Sequence, residues 1–212
     1  MAFITRHCRI RQYTIEKQGE VFLRDLYTEL EGFLTGAMKA MQIAYPKFYK
    51  MDHLAKLGFL GVEILLKELD IVSQYGPEGV ALVLSNANAS LNTDLRYFET
   101  SKTISSPGLF VYTLANIVTG EICIRNGIKG ENAFFITPRF DPEIIAGYVE
   151  SVMRHKKTGA CIAGWVDVMG EHHDVFLYLA ENQTNDTDAL AHTPEHLEKL
   201  YRAEYGTVDG RS

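Results

Sequence analysis

Short, fully apolar runs that alternate with helix-start signals constrain this chain more than any other feature. Val80-Ala81-Leu82-Val83-Leu84 and Ala133-Phe134-Phe135-Ile136 are continuous apolar stretches too short for helices of their own, and Ala160 to Val168, apolar but for Asp167, reads as a further strand. Strands buried on both faces read this way. Between them lie segments with helical spacing. Asp52 is placed to cap a helix whose Leu54, Leu57, Gly61, Ile64, Leu65 and Leu69 recur on one face. Gly58 and Gly61 in that helix leave room for a neighbour to come close. Ser105-Ser106-Pro107-Gly108 introduces a long helix from about Leu109 to Arg125, stopped by Asn126-Gly127. Asp141 at N-cap, Pro142 at the first helical position and Glu143 near the positive end of the dipole start another. Its buried face carries Ile144, Ile145, Tyr148, Val149 and Val152.

Residues 2–13 read as a strand, residues 20–45 as a mixed stretch with helical pieces. Asp174 to Ala180 reads as a strand that follows Ala160–Val168 through Met169-Gly170-Glu171-His172-His173, a possible hairpin. The order predicts an α/β fold with layered helices around a mostly parallel mixed sheet. Residues 1–180 are expected to form a single domain. Residues 181–212 turn polar and are expected to be an extension, partly helical over 194–205 or frayed.

Composition excludes several function classes. With 46% hydrophobic and 23% charged residues among 212, the chain can bury a sizeable core. A formal net charge of −6 argues against a nucleic-acid partner, because backbone phosphates need clustered cations. No apolar run approaches the length of a membrane span. Cys8, Cys123 and Cys161 are odd in number and widely spaced, without a CxxC pattern, which fits a reducing cytoplasm. The Asn-x-Thr sequences at Asn182 and Asn185 are then irrelevant to glycosylation.

Few residues invite a chemical reading. Cys161 and Cys123 read as buried, inert thiols; Cys8, between His7 and Arg9, invites a lowered pKa. His172 and His173 are adjacent on a strand, so they point to opposite faces and suit a polar turn better than a metal. His192 and His196 are four apart, but Pro194 interrupts a shared helix. Ser85 and Ser90 lack a Gly-x-Ser-x-Gly elbow. Gly127-x-x-Gly130 precedes a strand rather than opening a helix, so it is no nucleotide loop. No metal and no cofactor is expected.

Five local sequences in order resemble the N-terminal half of the β-ketoacyl synthases, which have the thiolase-like fold. They are Tyr45 to Asp52 with its helix, Val80 to Ser90, Ser106-Pro107-Gly108-Leu109-Phe110 with Leu114-Ala115-Asn116, Gly127-Ile128-Lys129-Gly130-Glu131-Asn132, and Ile162-Ala163-Gly164-Trp165-Val166-Asp167. The family's strand after the fourth ends in Thr-Ala-Cys, whose thiolate attacks an acyl thioester. This chain reads Thr137-Pro138-Arg139 there, and a guanidinium is always charged and cannot be acylated. Pro138 also changes the elbow by fixing φ and restricting Thr137. The family's further catalytic groups, usually a histidine pair, come from a second half that this sequence does not contain.

The resemblance implies that Asn132, Phe134, Phe135 and Ile136 form a dimer strand, because in this family the strand before the elbow pairs with its twin. It implies a non-catalytic subunit that assists fatty-acid, polyketide or aryl-polyene synthesis, as a homodimer or paired with a complete synthase, with acyl carrier protein as a further partner. An acyltransferase or thioesterase-like enzyme, or an acyl-chain or carrier-protein binding module, is the alternative. Arg139 is open to three readings: a surface or ion-paired residue beside Asp141 and Glu143, an anion site with Phe140 and Asn88 near it, or an interface residue.

Overall fold

The computed structural model describes residues 2–25, 29–154, 157–185 and 187–203. The first part of the chain gives β1 (Phe3–Arg11), β2 (Thr14–Lys17), β3 (Glu20–Arg24), α1 (Leu30–Ala40), α2 (His53–Leu65), α3 (Ile71–Tyr75), β4 (Val80–Asn86) and α4 (Leu91–Ser101). It continues with α5 (Pro107–Phe110), α6 (Ile117–Asn126), β5 (Asn132–Ile136), α7 (Pro142–Met153), β6 (Ala160–Met169), β7 (His172–Glu181), β8 (Leu190–Ala191) and α8 (Pro194–Arg202). All eight strands join one sheet in the order β3-β2-β1-β7-β6-β4-β5, with β8 on β1.

The sheet is mixed, and its balance differs from the expected one. Only β4–β5 and β4–β6 pair in parallel, while the other five pairings among the described residues are antiparallel. The reason is connection length. Gln12-Tyr13 joins β1 to β2 and Gly170-Glu171 joins β6 to β7, and two-residue links cannot make a crossover. Parallel pairing survives where α4 to α7 bridge the strands.

Alternation puts two cores on the two faces of the sheet. Leu82, Leu84, Ile162, Val166, Leu177 and Leu179 pack under α1, α2 and α6. Ala81, Val83, Ala163, Trp165, Phe176 and Tyr178 pack with α7 and α8. Strand β1 serves both, because its register shifts between Ile4 and Arg6. Ile4 lies in the second core, whereas Cys8 and Ile10 lie in the first. An extra residue flips every later side chain to the other face.

Helix α2 starts as its sequence predicts, with the Asp52 carboxylate accepting from the Ala55 N–H at 2.9 Å. Its glycines set the packing distance: a Cβ at Gly58 would sit 2.4 Å from Val118 Cγ2, and one at Gly61 2.7 Å from Leu177 Cδ1. Gly127 ends α6 at φ 70°.

One expectation needs correction, and two stretches resolve in more detail, the helix expected over 194–205 being α8. The predicted helix over 109–125 is broken: Pro107–Thr113 and Ile117–Asn126 meet at 100°. Leu114 is extended there, and α6 is pinned by the hydrogen bond from Tyr112 to buried Glu121 at 3.0 Å. No single helix among the described residues is long and apolar enough to cross a membrane. The mixed stretch over 20–45 resolves into the outer strand β3 and α1, and the segment 91–101 is helical as well. Finally, the chain after residue 180 packs onto the rest. β8 pairs with β1, and Leu197 of α8 is fully buried in the second core.

A candidate site at the elbow between β5 and α7

Strands β4, β5 and β6 run in parallel, so their C-terminal ends lie together, the position where open α/β sheets place ligands and reacting groups. Three pieces of chain meet there: the loop 86–90 after β4, the elbow 137–141 after β5, and Asp167 near the end of β6.

Asp167 organises the loop. Its carboxylate is 6% exposed. One oxygen accepts from the N–H groups of Ala87 and Asn88, each at 3.0 Å, and the other accepts from Asn88 Nδ2 at 2.8 Å. Asn86, fully buried, closes the same loop by donating to the Ala89 carbonyl at 2.8 Å and accepting from the Ala89 N–H at 3.0 Å. Ala89 takes φ 48°, a left-handed conformation that these bonds hold in place. Asn88 is therefore committed to Asp167. Ser85 is also committed, donating to the Gly164 carbonyl at 3.2 Å.

The elbow follows from its own residues. The Thr137 N–H donates to the Asn86 carbonyl at 2.9 Å, ending the ladder, and its hydroxyl donates to the Arg139 carbonyl at 2.8 Å, bending the chain. Pro138 and Arg139 are exposed and Phe140 is buried. Phe140, expected near a binding site, belongs to the core instead. It is 4% exposed, with ring centroids 4.5 Å from Tyr201, 5.4 Å from Phe176 and 6.4 Å from Trp165. Trp165 occupies the place of a glycine in the resemblance, and these four rings fill the space behind the elbow. Asp141 caps α7 by accepting from the Ile144 N–H at 3.0 Å.

Arg139 forms no ion pair among the described residues, so of the ion-paired and solvated readings the geometry gives the solvated one. An anion beside it would meet the Asp141 carboxylate, which already takes an N-terminal N–H of α7, and Glu143 in the first turn.

The thiols are elsewhere. Cys8 and Cys161 are fully buried. Burial pushes the Cys8 thiol up to about 12, the opposite of the lowering its sequence neighbours suggested, and its Sγ donates to the Gly61 carbonyl at 3.2 Å. Burial also raises Cys161 and Cys123. His172 and His173 open β7 just after the β6–β7 turn; His173 is buried, with Nδ1 2.9 Å from the Glu171 carbonyl and Nε2 accepting from the Tyr13 N–H at 3.2 Å. His192 lies outside α8, 3.0 Å from the Tyr178 hydroxyl, while His196 Nδ1 lies 2.8 Å from the Ala191 carbonyl. Asn182 donates to the Thr158 carbonyl at 2.7 Å.

Strand β5 is an edge of the sheet, as a pairing strand must be. Asn132 is exposed, Ala133, Phe134 and Phe135 are half-buried, and Ile136 is 62% exposed. A second apolar surface escaped the sequence reading. Leu91, Leu95 and Phe98, at i, i+4 and i+7 of α4, are exposed, and so are Phe110, Val111 and Leu114. The two segments touch through Tyr97 and Phe110, 5.5 Å apart. Only Thr93 of α4 is buried, donating to Asp52 at 2.5 Å. An i, i+4, i+7 count over 91–98 would have found the stripe.

No family model matches the chain, and no curated protein matches its sequence. Solved structures do match. The ishigamide ketosynthase/chain length factor aligns at TM-score 0.63 and 15% identity, over 88% of this chain and 63% of that one. A ketosynthase (ApeO) in complex with its chain length factor (ApeC) from Xenorhabdus doucetiae aligns at TM-score 0.54 and 10% identity, over 95% of this chain and 90% of that one. A β-ketoacyl synthase from Burkholderia phymatum aligns at TM-score 0.56 and 10% identity, over 86% of this chain and 59% of that one. The chain thus spans less than two thirds of the first and third of these, and nearly all of the second. It has the thiolase-like fold of the β-ketoacyl synthases, over a span equivalent to part of a full-length synthase.

Proposed function

We propose that this chain is a non-catalytic β-ketoacyl-synthase-like subunit that pairs with a complete synthase through the β5 edge, in the manner of a chain length factor. Arg139 carries the reading. It stands at the strand-to-helix elbow where the resemblance expects a cysteine, exposed and permanently charged, and the three thiols lie elsewhere. The close ring packing behind the elbow, of Phe140 on Trp165, Phe176 and Tyr201, supports the same reading, because it leaves that core filled by side chains. An exposed apolar edge strand is a hazard unless paired. Ile136, with the exposed apolar residues of α4 and α5, supplies a surface for that pairing. The subunit then serves polyketide, fatty-acid or aryl-polyene type synthesis, and acyl carrier protein reaches the pair through the active synthase. A structural neighbour of nearly the same span comes from a ketosynthase complex with its chain length factor, which is the arrangement proposed.

Co-purification from the native host tests this. A complete synthase is expected in equal amount, and Ile136→Glu is expected to lose it. An acyl adduct on any side chain, seen by mass spectrometry after incubation with an acyl-carrier thioester, would overturn the non-catalytic assignment. A pure homodimer with no synthase bound would overturn the pairing.

A further inference from the structure

Helix α8 ends in a clamp that touches the elbow. Its single fully buried side chain is Leu197, so packing alone holds it weakly, and a nine-residue helix is marginal by itself. Cations hold its last turn. Arg9, 3% exposed and paired with buried Glu16 at 2.5 Å, donates to the carbonyls of Leu200, at 3.4 Å, and Ala203. Arg11 donates to the Tyr201 carbonyl at 2.7 Å and lies 4.2 Å over the Tyr201 ring. The same arginine pairs with Asp174, which accepts from the Tyr201 hydroxyl at 2.6 Å. Both guanidiniums thus sit at the negative end of the α8 dipole.

This clamp has one consequence beyond anchoring a terminus. Tyr201 is the closest ring to Phe140, at 4.5 Å and 34° between planes. Phe140 is bonded directly to Arg139. Nothing else in the elbow is buried apart from Thr137, and Pro138 and Arg139 are exposed. Phe140 is therefore the anchor that fixes how Arg139 is presented, and Tyr201 closes one side of its pocket.

We propose that Tyr201 is a positioning residue for the elbow, and that α8 is a strap, locked by Arg9, Arg11 and Asp174, which sets the conformation in which Arg139 is displayed. This rests on the reading that Arg139 stands at the elbow in place of the synthase cysteine. A partner that competes for Arg11, the more exposed of the two arginines, loosens the elbow without touching it.

Hydrogen exchange on the full chain tests the strap, with Trp165, the protein's one tryptophan, as a second reporter. In Tyr201→Ala the Thr137 amide, which donates to the Asn86 carbonyl, is expected to exchange about tenfold faster, as a ring pair and its buried area are lost. Peptides spanning β4 and the first half of β6 are expected to keep the wild-type rate, and Trp165 emission to shift to the red. Tyr201→Phe, which keeps the ring and loses the hydroxyl, is expected to restore most of the elbow protection. Faster exchange in α8 with an unchanged elbow would overturn the proposal. Equal acceleration in the elbow, β4 and β6 would overturn it too, because that is global destabilisation. No partner takes part in this measurement, so it stands or fails apart from pairing with a synthase.

Discussion

Asp167 offers the sharpest test of how the loop beside the elbow is built. Two substitutions separate its bonds. Ala87 and Asn88 both donate their backbone N–H to one carboxylate oxygen, and Asn88 Nδ2 donates to the other. Asp167→Ala removes both acceptor oxygens and all three bonds. A hydrogen bond to a charged acceptor contributes about 1.5–3 kcal/mol, and bonds sharing one acceptor are not additive. Ala87 and Asn88 are only half-buried, so water reaches the freed donors and recovers part of the loss. The expected cost is about 2–4 kcal/mol. Asp167→Asn keeps one acceptor oxygen, enough for both backbone donors, and loses only the bond from Asn88 Nδ2. Its expected cost is about 1–1.5 kcal/mol. The double variant Asp167→Asn with Asn88→Asp restores a donor–acceptor pair and is expected to recover most of that. Urea unfolding gives the stabilities, and exchange of the 87–89 amides localises the effect. If alanine and asparagine at 167 cost the same within about 0.5 kcal/mol, the divided-acceptor argument is wrong.

Three further outcomes follow from the same structure. Gly164→Ala should destabilise by about 3 kcal/mol or more, because φ is 144° and a Cβ would lie 2.0 Å from the Phe176 carbonyl oxygen, a backbone atom that cannot move alone; a Tm within a degree of wild type would refute it. His7 and His192 are each held down to about 4, chiefly by burial, so between that value and the usual 6.5 the unfolded chain binds more protons. Stability is then fully present above pH 6.5 and falls as pH drops toward 4, and a urea midpoint unchanged between pH 7 and pH 5 would contradict this. Phe98→Lys on α4, a side chain 59% exposed, should leave the urea midpoint unchanged and weaken binding to a synthase, and a large loss of stability would show that this face is packed in the free protein.

The elements that could be read from the sequence are those whose signal is local. Asp52 and Asp141 cap helices because an acceptor three residues before a free N–H needs no tertiary help. The apolar runs at 80–84 and 160–166 could be read as strands because each is short, bounded by turn residues on at least one side, and fits a strand buried on both faces. That Thr137-Pro138-Arg139 follows a strand and precedes a helix was legible as well, since Asn132–Ile136 and Pro142 carry local signals. The break at Leu114 was not, because 109–125 has helical composition throughout and the Tyr112–Glu121 bond forms only once the chain has turned.

The sequence by itself therefore determined the strands, the caps and the charge at the elbow, all matters of neighbouring residues. Tertiary structure decided what surrounds them: that Asn88 serves Asp167, that Phe140 faces rings rather than a ligand, and that Arg9 and Arg11 hold the last turn of α8. The partners in these contacts lie 25 (Phe140 and Trp165) to 194 (Arg9 and Ala203) residues apart, and a contact between distant residues is set by how the sheet orders its strands, which no window of sequence contains.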